Sequence, residues 1–165
     1  MKTIVIYESQ TGFTRQYAEW IAEELTCTSK SLKEVKAAEL SAYDRIIFGG
    51  WIMGGRIAGY RKVLKLGSLT AVFAVGASLI DEATTKNIQT VNQLGSMPFY
   101  YMQGGIHFDS LGYFKRNLLK AIQKSLVKKD HRTAQEEFMA EYLGTNFDFS
   151  SKEQITGIIK DLSRE

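Results

Sequence analysis

Four nearly continuous apolar segments divide the chain: TIVIY at 3–7, RIIFGG at 45–50, TAVFAVG at 70–76 and PFYYMQGG at 98–105. Continuous rather than alternating apolar residues are typical of strands that are buried on both faces of a parallel sheet. Each segment runs into glycine, where the backbone can turn sharply or approach a ligand closely. A fifth strand is predicted within 28–35, because this short, polar, lysine-rich segment suits a sheet edge.

Helical periodicity fills the gaps between these strands. A stripe of apolar residues at every fourth position predicts the first helix: Phe13, Tyr17, Ile21 and Leu25. Further helices are predicted at 59–66 and 81–94, and a last one after Ser150 and Glu153, which have the spacing of a capping box. This order predicts an α/β fold with a doubly wound five-stranded parallel sheet, in the order 2-1-3-4-5, and a helical insertion after strand 5 at about 106–150.

The composition restricts the class of protein and the kinds of site but does not indicate a function. The 165 residues are 44% hydrophobic and 24% charged, without an evident linker, so we expect a single domain over 1–165. One cysteine and two histidines predict neither an internal disulfide nor a metal site. The N-terminal segment does not resemble a signal peptide, and the longest apolar stretch, 69–80, is too short to cross a bilayer. A cytoplasmic protein is therefore the default expectation.

The turn after the first strand, SQTGFT at 9–14, is the first candidate site. Ser9, Thr11 and Thr14 offer hydroxyl groups, and the backbone N–H groups at a helix start have no partner within the helix. Together with the helix dipole, such groups favour an anion. An ordinary Ser or Thr N-cap is the alternative. The location after a buried first strand, at the switch point of the sheet, favours a phosphate.

A second glycine-rich segment, GWIMGGRI at 50–57, matches the ATP-type P-loop only in part. Arg56 stands where that loop has lysine, and Ile57 where it has the Mg²⁺-binding Ser or Thr. Nucleotide hydrolysis is therefore disfavoured, and the dinucleotide fingerprint G-x-G-x-x-G is missing from the sequence as well. We interpret this segment as a loop that lies beside an aromatic ring system.

The segment YESQTGFTRQYAEWIA resembles the FMN phosphate loop of flavodoxins, (S/T)-x-T-G-x-T. The resemblance implies a flavodoxin-like fold with FMN as cofactor. The residues that it implies for the phosphate are Ser9, Gln10, Thr11, Gly12, Phe13 and Thr14. Those that it implies for the isoalloxazine ring are Gly50, Trp51, Ile52, Met53, Gly54 and Gly55 in one loop, and Gly76, Ala77 and Ser78 in another.

Within this family, the segments 43–65 and 102–122 resemble the branch of the quinone-dependent protoporphyrinogen dehydrogenases. That branch has a lengthened, basic stretch after strand 5, as this chain does. The resemblance implies an FMN-dependent oxidoreductase whose redox partner is a quinone or another protein. An electron-transfer protein without its own small-molecule substrate is one alternative, and a flavin-free binding module is another. Arg56 and His107 are candidate catalytic residues, His107 as a proton donor.

The ring side of the predicted site has an excess of positive charge. No acidic residue lies between 45 and 80, whereas five basic residues do: Arg45, Arg56, Arg61, Lys62 and Lys65. A positive rim would raise the reduction potential of a bound flavin and attract an anionic small-molecule substrate. Solvated charge on a helix surface is the alternative interpretation.

The segment 113–132 carries seven basic side chains against one acidic one. Within 110–129 an apolar stripe at helical spacing runs among the lysines: Leu111, Phe114, Leu118, Ile122 and Leu126. This helix has three interpretations: a peripheral contact at the inner face of the membrane, packing on the protein body, or a dimer contact. Nucleic-acid binding is disfavoured, because few aromatic residues are interleaved for base stacking. The oligomeric state is not predicted.

Overall fold

The apolar segments form the predicted sheet in a computed structural model that describes residues 1–164. Five strands run parallel: β1 (Thr3–Glu8), β2 (Thr28–Ser31), β3 (Arg45–Met53), β5 (Ala71–Gly76) and β6 (Phe99–Gln103). A short β4 (Arg56–Ile57) folds back antiparallel onto β3. The strand order is β2-β1-β3-β5-β6, so the predicted order 2-1-3-4-5 is confirmed once β4 is set aside. The polar β2 lies at the edge, as predicted.

Helices follow the strands on both faces of the sheet. They are α1 (Phe13–Glu24), α2 (Ala37–Leu40), α3 (Tyr60–Val63), α4 (Glu82–Asn92), α5 (Tyr113–Val127), α6 (Ala134–Tyr142) and α7 (Thr156–Leu162). The helix expected at 59–66 is a single turn, and α2 was not predicted. Short 3-10 helices, Phe108–Ser110 and Lys152–Ile155, precede α5 and α7.

Two apolar clusters hold the layers together. On one face, Tyr17 and Ile21 of α1 and Ile158 of α7 pack on the sheet with Ile47 and Phe73, all fully buried. On the other face, the central strands contribute Ile4, Phe48 and Val72, which pack with residues of α3 and α4 such as Val63 and Ile88. The continuous apolar strands are therefore explained by burial on both sides.

The predicted capping box at Ser150 and Glu153 is wrong. The side chain of the next residue, Ser151, accepts the Glu153 N–H at 3.3 Å, whereas the Ser150 hydroxyl donates to a carboxylate oxygen of Asp148. Ser150 is engaged in the turn after the preceding strand pair, so Ser151 becomes the residue at the helix start.

A complete capping box occurs at the start of α6 instead. The Thr133 hydroxyl accepts the Glu136 N–H at 3.2 Å, and the Glu136 carboxylate accepts the Thr133 N–H at 3.0 Å. Two orphan N–H groups are thereby satisfied reciprocally.

The insertion after β6 begins and ends at one strand pair. β7 (Gly105–Ile106) pairs antiparallel with β8 (Phe147–Asp148), and α5 and α6 lie between them in the chain. The Gln123 side-chain amide of α5 donates to the Ala140 carbonyl of α6 at 2.9 Å, which joins the two helices. No helix among residues 1–164 has both the length and the apolar character needed to cross a bilayer.

Candidate functional site

The carboxyl ends of the parallel strands open into two adjoining cavities. The first cavity, of about 380 Å³, extends from the loop 9–14 past Trp51 to the insertion. The second cavity, of about 880 Å³, lies between the loops 52–55 and 76–78 and reaches α4 and α6. Their walls share Ile52, Gly76, Ala77, Ile106 and Leu119, so one ligand can extend from one cavity into the other.

The loop 9–14 leaves the start of α1 without a side-chain cap. Gly12 immediately precedes the helix with a φ of 101°, a left-handed conformation that favours glycine. Its N–H donates to the Ser9 hydroxyl at 3.2 Å, so Ser9 braces the loop rather than the helix. The alternative of an ordinary Ser or Thr N-cap is therefore wrong.

The donors around that helix start fit a phosphate. The first turn of α1 contains no acidic residue, and three polar residues beside it line the first cavity: Gln10, Thr11 and Thr14. Uncapped N–H groups, hydroxyls and the positive end of a twelve-residue helix form an anion-binding arrangement. This is the chemistry that the phosphate of FMN requires.

The first ring loop crosses from β3 into β4. Trp51 is half-buried and Met53 is 65% exposed, and both line the first cavity. Met53 is therefore not part of the buried core. Gly54 and Gly55, with φ values of 56° and 76°, make the turn and line the second cavity.

The second ring loop, 76–79, is anchored by hydrogen bonds from two directions. From β6, the Tyr101 hydroxyl donates to the Ser78 carbonyl at 2.9 Å, and the Gln103 amide donates to the Ala77 carbonyl at 3.3 Å. Burial raises the pKa of Tyr101, so its hydroxyl remains a hydrogen-bond donor even above the ordinary pKa of tyrosine. From α6, the Gln135 side-chain oxygen accepts the Leu79 N–H at 2.9 Å.

Most predicted site residues meet in these cavities. Ten line the first cavity: Gln10, Thr11, Phe13, Thr14, Trp51, Ile52, Met53, Gly76, Ala77 and His107. Six line the second: Ile52, Gly54, Gly55, Gly76, Ala77 and Ser78. Four line neither: Ser9, Gly12, Gly50 and Arg56. The His107 ring stacks on the Phe13 ring at a centroid distance of 4.7 Å, at the edge of the loop 9–14.

The expected positive rim is not assembled. None of its five basic residues lines either cavity. Arg45 lies at the opposite end of β3, where its guanidinium donates to the Leu162 carbonyl at 2.7 Å. The basic side chain at the first cavity is Lys115 of the insertion instead.

Sequence reasoning missed the contribution of the insertion to the cavity walls. Helix α5 and the turn before it supply part of the first cavity: Leu111, Lys115, Leu118 and Leu119. Helix α6 and the residue after it supply part of the second: Gln135, Met139 and Leu143. The apolar stripe 111–118 was a usable signal for α5, whereas α6 has no comparable pattern. No group of histidine, cysteine, aspartate and glutamate side chains suited to a metal occurs in residues 1–164.

Comparison with known proteins gives a family match and distant structural likenesses. A family model described as a flavodoxin domain matches residues 4–134. A flavodoxin from the domain Archaea is 18% identical, with a TM-score of 0.43, over 62% of this chain and 83% of its own. Oxidised flavodoxin 2 from Bacillus cereus is 20% identical, with a TM-score of 0.41, over 61% and 84%. A WrbA-like flavodoxin from Agrobacterium tumefaciens is 17% identical, with a TM-score of 0.45, over 97% and 98%. No curated protein sequence matches the chain significantly.

Proposed function

Because the chain belongs to the flavodoxin domain family, we propose that it binds FMN in the two cavities and acts as a flavin-dependent oxidoreductase. The observation that carries this proposal is the uncapped start of α1, which opens into a cavity whose other walls are mainly apolar. A phosphate at 9–14 and a flat ring beyond it would use both features.

Each part of the crevice then has a binding role. The loop 9–14 holds the phosphate, Trp51 and Met53 lie along a ring face, and α5 and α6 reduce the access of water. When bound, FMN supplies the redox chemistry, and the protein supplies orientation and electrostatics. Visible flavin absorbance of the purified protein, with FMN released on denaturation, tests this. A protein that neither retains nor takes up FMN would be the flavin-free binding module instead.

The insertion covers the crevice, and this cover favours an enzyme that converts a small substrate over a simple electron carrier. Helices α5 and α6 form part of both cavity walls, so a small molecule can be enclosed beside the ring. Lys115 lines the first cavity and an adjoining recess with Gln10 and Thr11, which suits an anionic substituent. The resemblance of 43–65 and 102–122 makes hydrogen transfer from protoporphyrinogen to a quinone the first reaction to assay. Turnover with a soluble quinone supports the enzyme; flavin binding without any substrate turnover supports the carrier and its protein partner.

Helix α5 is also proposed as a peripheral contact with an anionic membrane. No side chain of α5 is fully buried, and Phe114 is 85% and Leu118 60% exposed, so the stripe is not packed in the core. Basic residues surround this apolar surface: Lys115, Arg116, Lys120, Lys124 and Lys128. A second copy would place like charges together, whereas anionic lipid headgroups attract them. This supports a location at the inner face of the membrane.

Vesicle co-sedimentation tests the membrane contact. We expect binding to vesicles containing phosphatidylglycerol, little binding to phosphatidylcholine, and loss of binding in Phe114→Asp/Leu118→Asp. Leu64→Asp serves as the matched control, because this exposed apolar residue lies outside α5 and lines neither cavity. Equal binding by the wild type and the α5 variant would contradict the proposal, and concentration-dependent dimerisation lost in the α5 variant would favour a dimer contact instead.

A further inference from the structure

Gln135, near the start of α6, has an unusual side-chain amide. Its oxygen accepts the Leu79 N–H at 2.9 Å, but its nitrogen Nε2 is buried without a hydrogen-bond partner. No other side-chain nitrogen or oxygen in residues 1–164 is buried in this way. A buried donor without an acceptor costs about 1–3 kcal/mol, so such groups usually indicate a missing partner.

The orientation of this amide is fixed by its neighbour. Because the Leu79 backbone N–H is a donor, it requires the side-chain oxygen of Gln135, and exchanging oxygen and nitrogen would place two donors together. Rotating the amide therefore cannot satisfy Nε2. Nε2 itself is covered by protein atoms, but Gln135 lines the second cavity, so a small movement of its side chain presents Nε2 to an occupant of that cavity.

The chemistry of the second cavity indicates which part of a ligand belongs there. No lysine or arginine lines it, and its one carboxylate, Asp81, accepts the Thr84 N–H at 2.6 Å. An anionic group is therefore better placed at 9–14. Both ring loops, through Gly55 and Ser78, meet Gln135 around this space. A neutral, flat ring edge with an oxygen acceptor fits the cavity.

We propose that Gln135 is a further flavin-binding residue, whose Nε2 donates a hydrogen bond to a carbonyl oxygen of the flavin ring. This inference rests on the proposed function. One amide then links the ring loop at Leu79 to the ring itself. The insertion thereby contributes a polar contact to the ring in addition to covering it.

Substitutions separate the two ends of the amide. Gln135→Met removes both, whereas Gln135→Glu keeps an oxygen for the Leu79 N–H and loses the Nε2 donor. Gln123→Met is the matched control, because it removes the amide hydrogen bond from α5 to the Ala140 carbonyl without touching either cavity. FMN affinity is measured by fluorescence quenching on each apo-protein. The carbonyl bands of bound flavin are recorded by Raman spectroscopy as a local readout.

We expect FMN binding to weaken about 3- to 10-fold in both Gln135 variants and by less than about 2-fold in Gln123→Met. A flavin carbonyl band should move to higher wavenumber in both Gln135 variants, because its oxygen has lost a hydrogen bond. If the wild type binds FMN and the Gln135 variants show the same FMN affinity and the same flavin carbonyl bands, this inference alone is overturned. Equal weakening in Gln123→Met also overturns it, since a packing role would then suffice. A wild-type protein that does not bind FMN overturns the inference and the proposed function together.

Discussion

The hydroxyl of Tyr101 provides a measurable link between the sheet and the second ring loop. Tyr101 is buried in β6, and its hydroxyl donates to the Ser78 carbonyl at 2.9 Å. Tyr101→Phe removes this hydrogen bond while leaving the ring in the core. Since Ser78 is half-buried, water can replace part of the interaction, and we expect a loss of about 1 kcal/mol in the free energy of unfolding. For a chain of this size, that is a fall of about 2–4 °C in Tm.

The same substitution should weaken FMN binding. The loop 76–79 keeps two other anchors, from Gln103 and Gln135, so it is loosened rather than released. FMN binding must then order the loosened loop again, which costs at most the same 1 kcal/mol or so of binding free energy. This corresponds to about a 2- to 5-fold higher Kd for FMN.

Tyr100→Phe is the matched control for this prediction. Tyr100 is the preceding residue of β6, and its hydroxyl donates to Asp161 of α7 at 2.7 Å, on the other face of the sheet. Urea unfolding and FMN titration are measured on both variants. The reasoning is refuted if Tyr101→Phe binds FMN as the wild type does, or if Tyr100→Phe weakens FMN binding equally.

Two further predictions concern α1. Gly12→Ala places a residue with a Cβ in the left-handed region at φ 101°, and since no atom lies within 4 Å of that Cβ, only backbone strain contributes. We expect the free energy of unfolding in urea to fall by about 1–2 kcal/mol and FMN binding to weaken. Unchanged stability and FMN affinity in this variant would contradict the prediction. Burial raises the pKa of Tyr17 to about 12, above the value near 10 in an unfolded chain, so its contribution to stability is present below pH 10 and is lost as pH rises towards 12. Denaturation measured between pH 9 and 12 should show a shallower fall for Tyr17→Phe, and an identical slope would refute that assignment.

The sheet could be predicted because its signals are local. Burial on both faces makes β3 and β5 continuously apolar, and the four-residue repeat of α1 needs no knowledge of the rest of the chain. The same holds for 9–14, where the glycine, the hydroxyls and the helix start are adjacent in sequence. The fold and the uncapped helix start at 9–14 therefore follow from short-range patterns.

Features that depend on long-range placement were predicted poorly. Arg45 and Met53 stand eight residues apart on one strand, which at about 3.3 Å per residue separates them by about 26 Å, so nearness in sequence did not mean nearness to the ring. Gln135 reaches the cavity because α6 packs against α5 and caps its own start at Thr133. Neither contact leaves a periodic signal in the sequence.

The central claim is a phosphate site joined to a ring cavity, and the affinities of FMN and riboflavin for the apo-protein test it most directly. The two ligands differ only in the phosphate. Two charge-assisted hydrogen bonds from the start of α1, at about 1.5 kcal/mol each or more, predict that FMN binds at least about 100-fold more tightly than riboflavin. Equal affinities, or no binding of either flavin, would contradict the account.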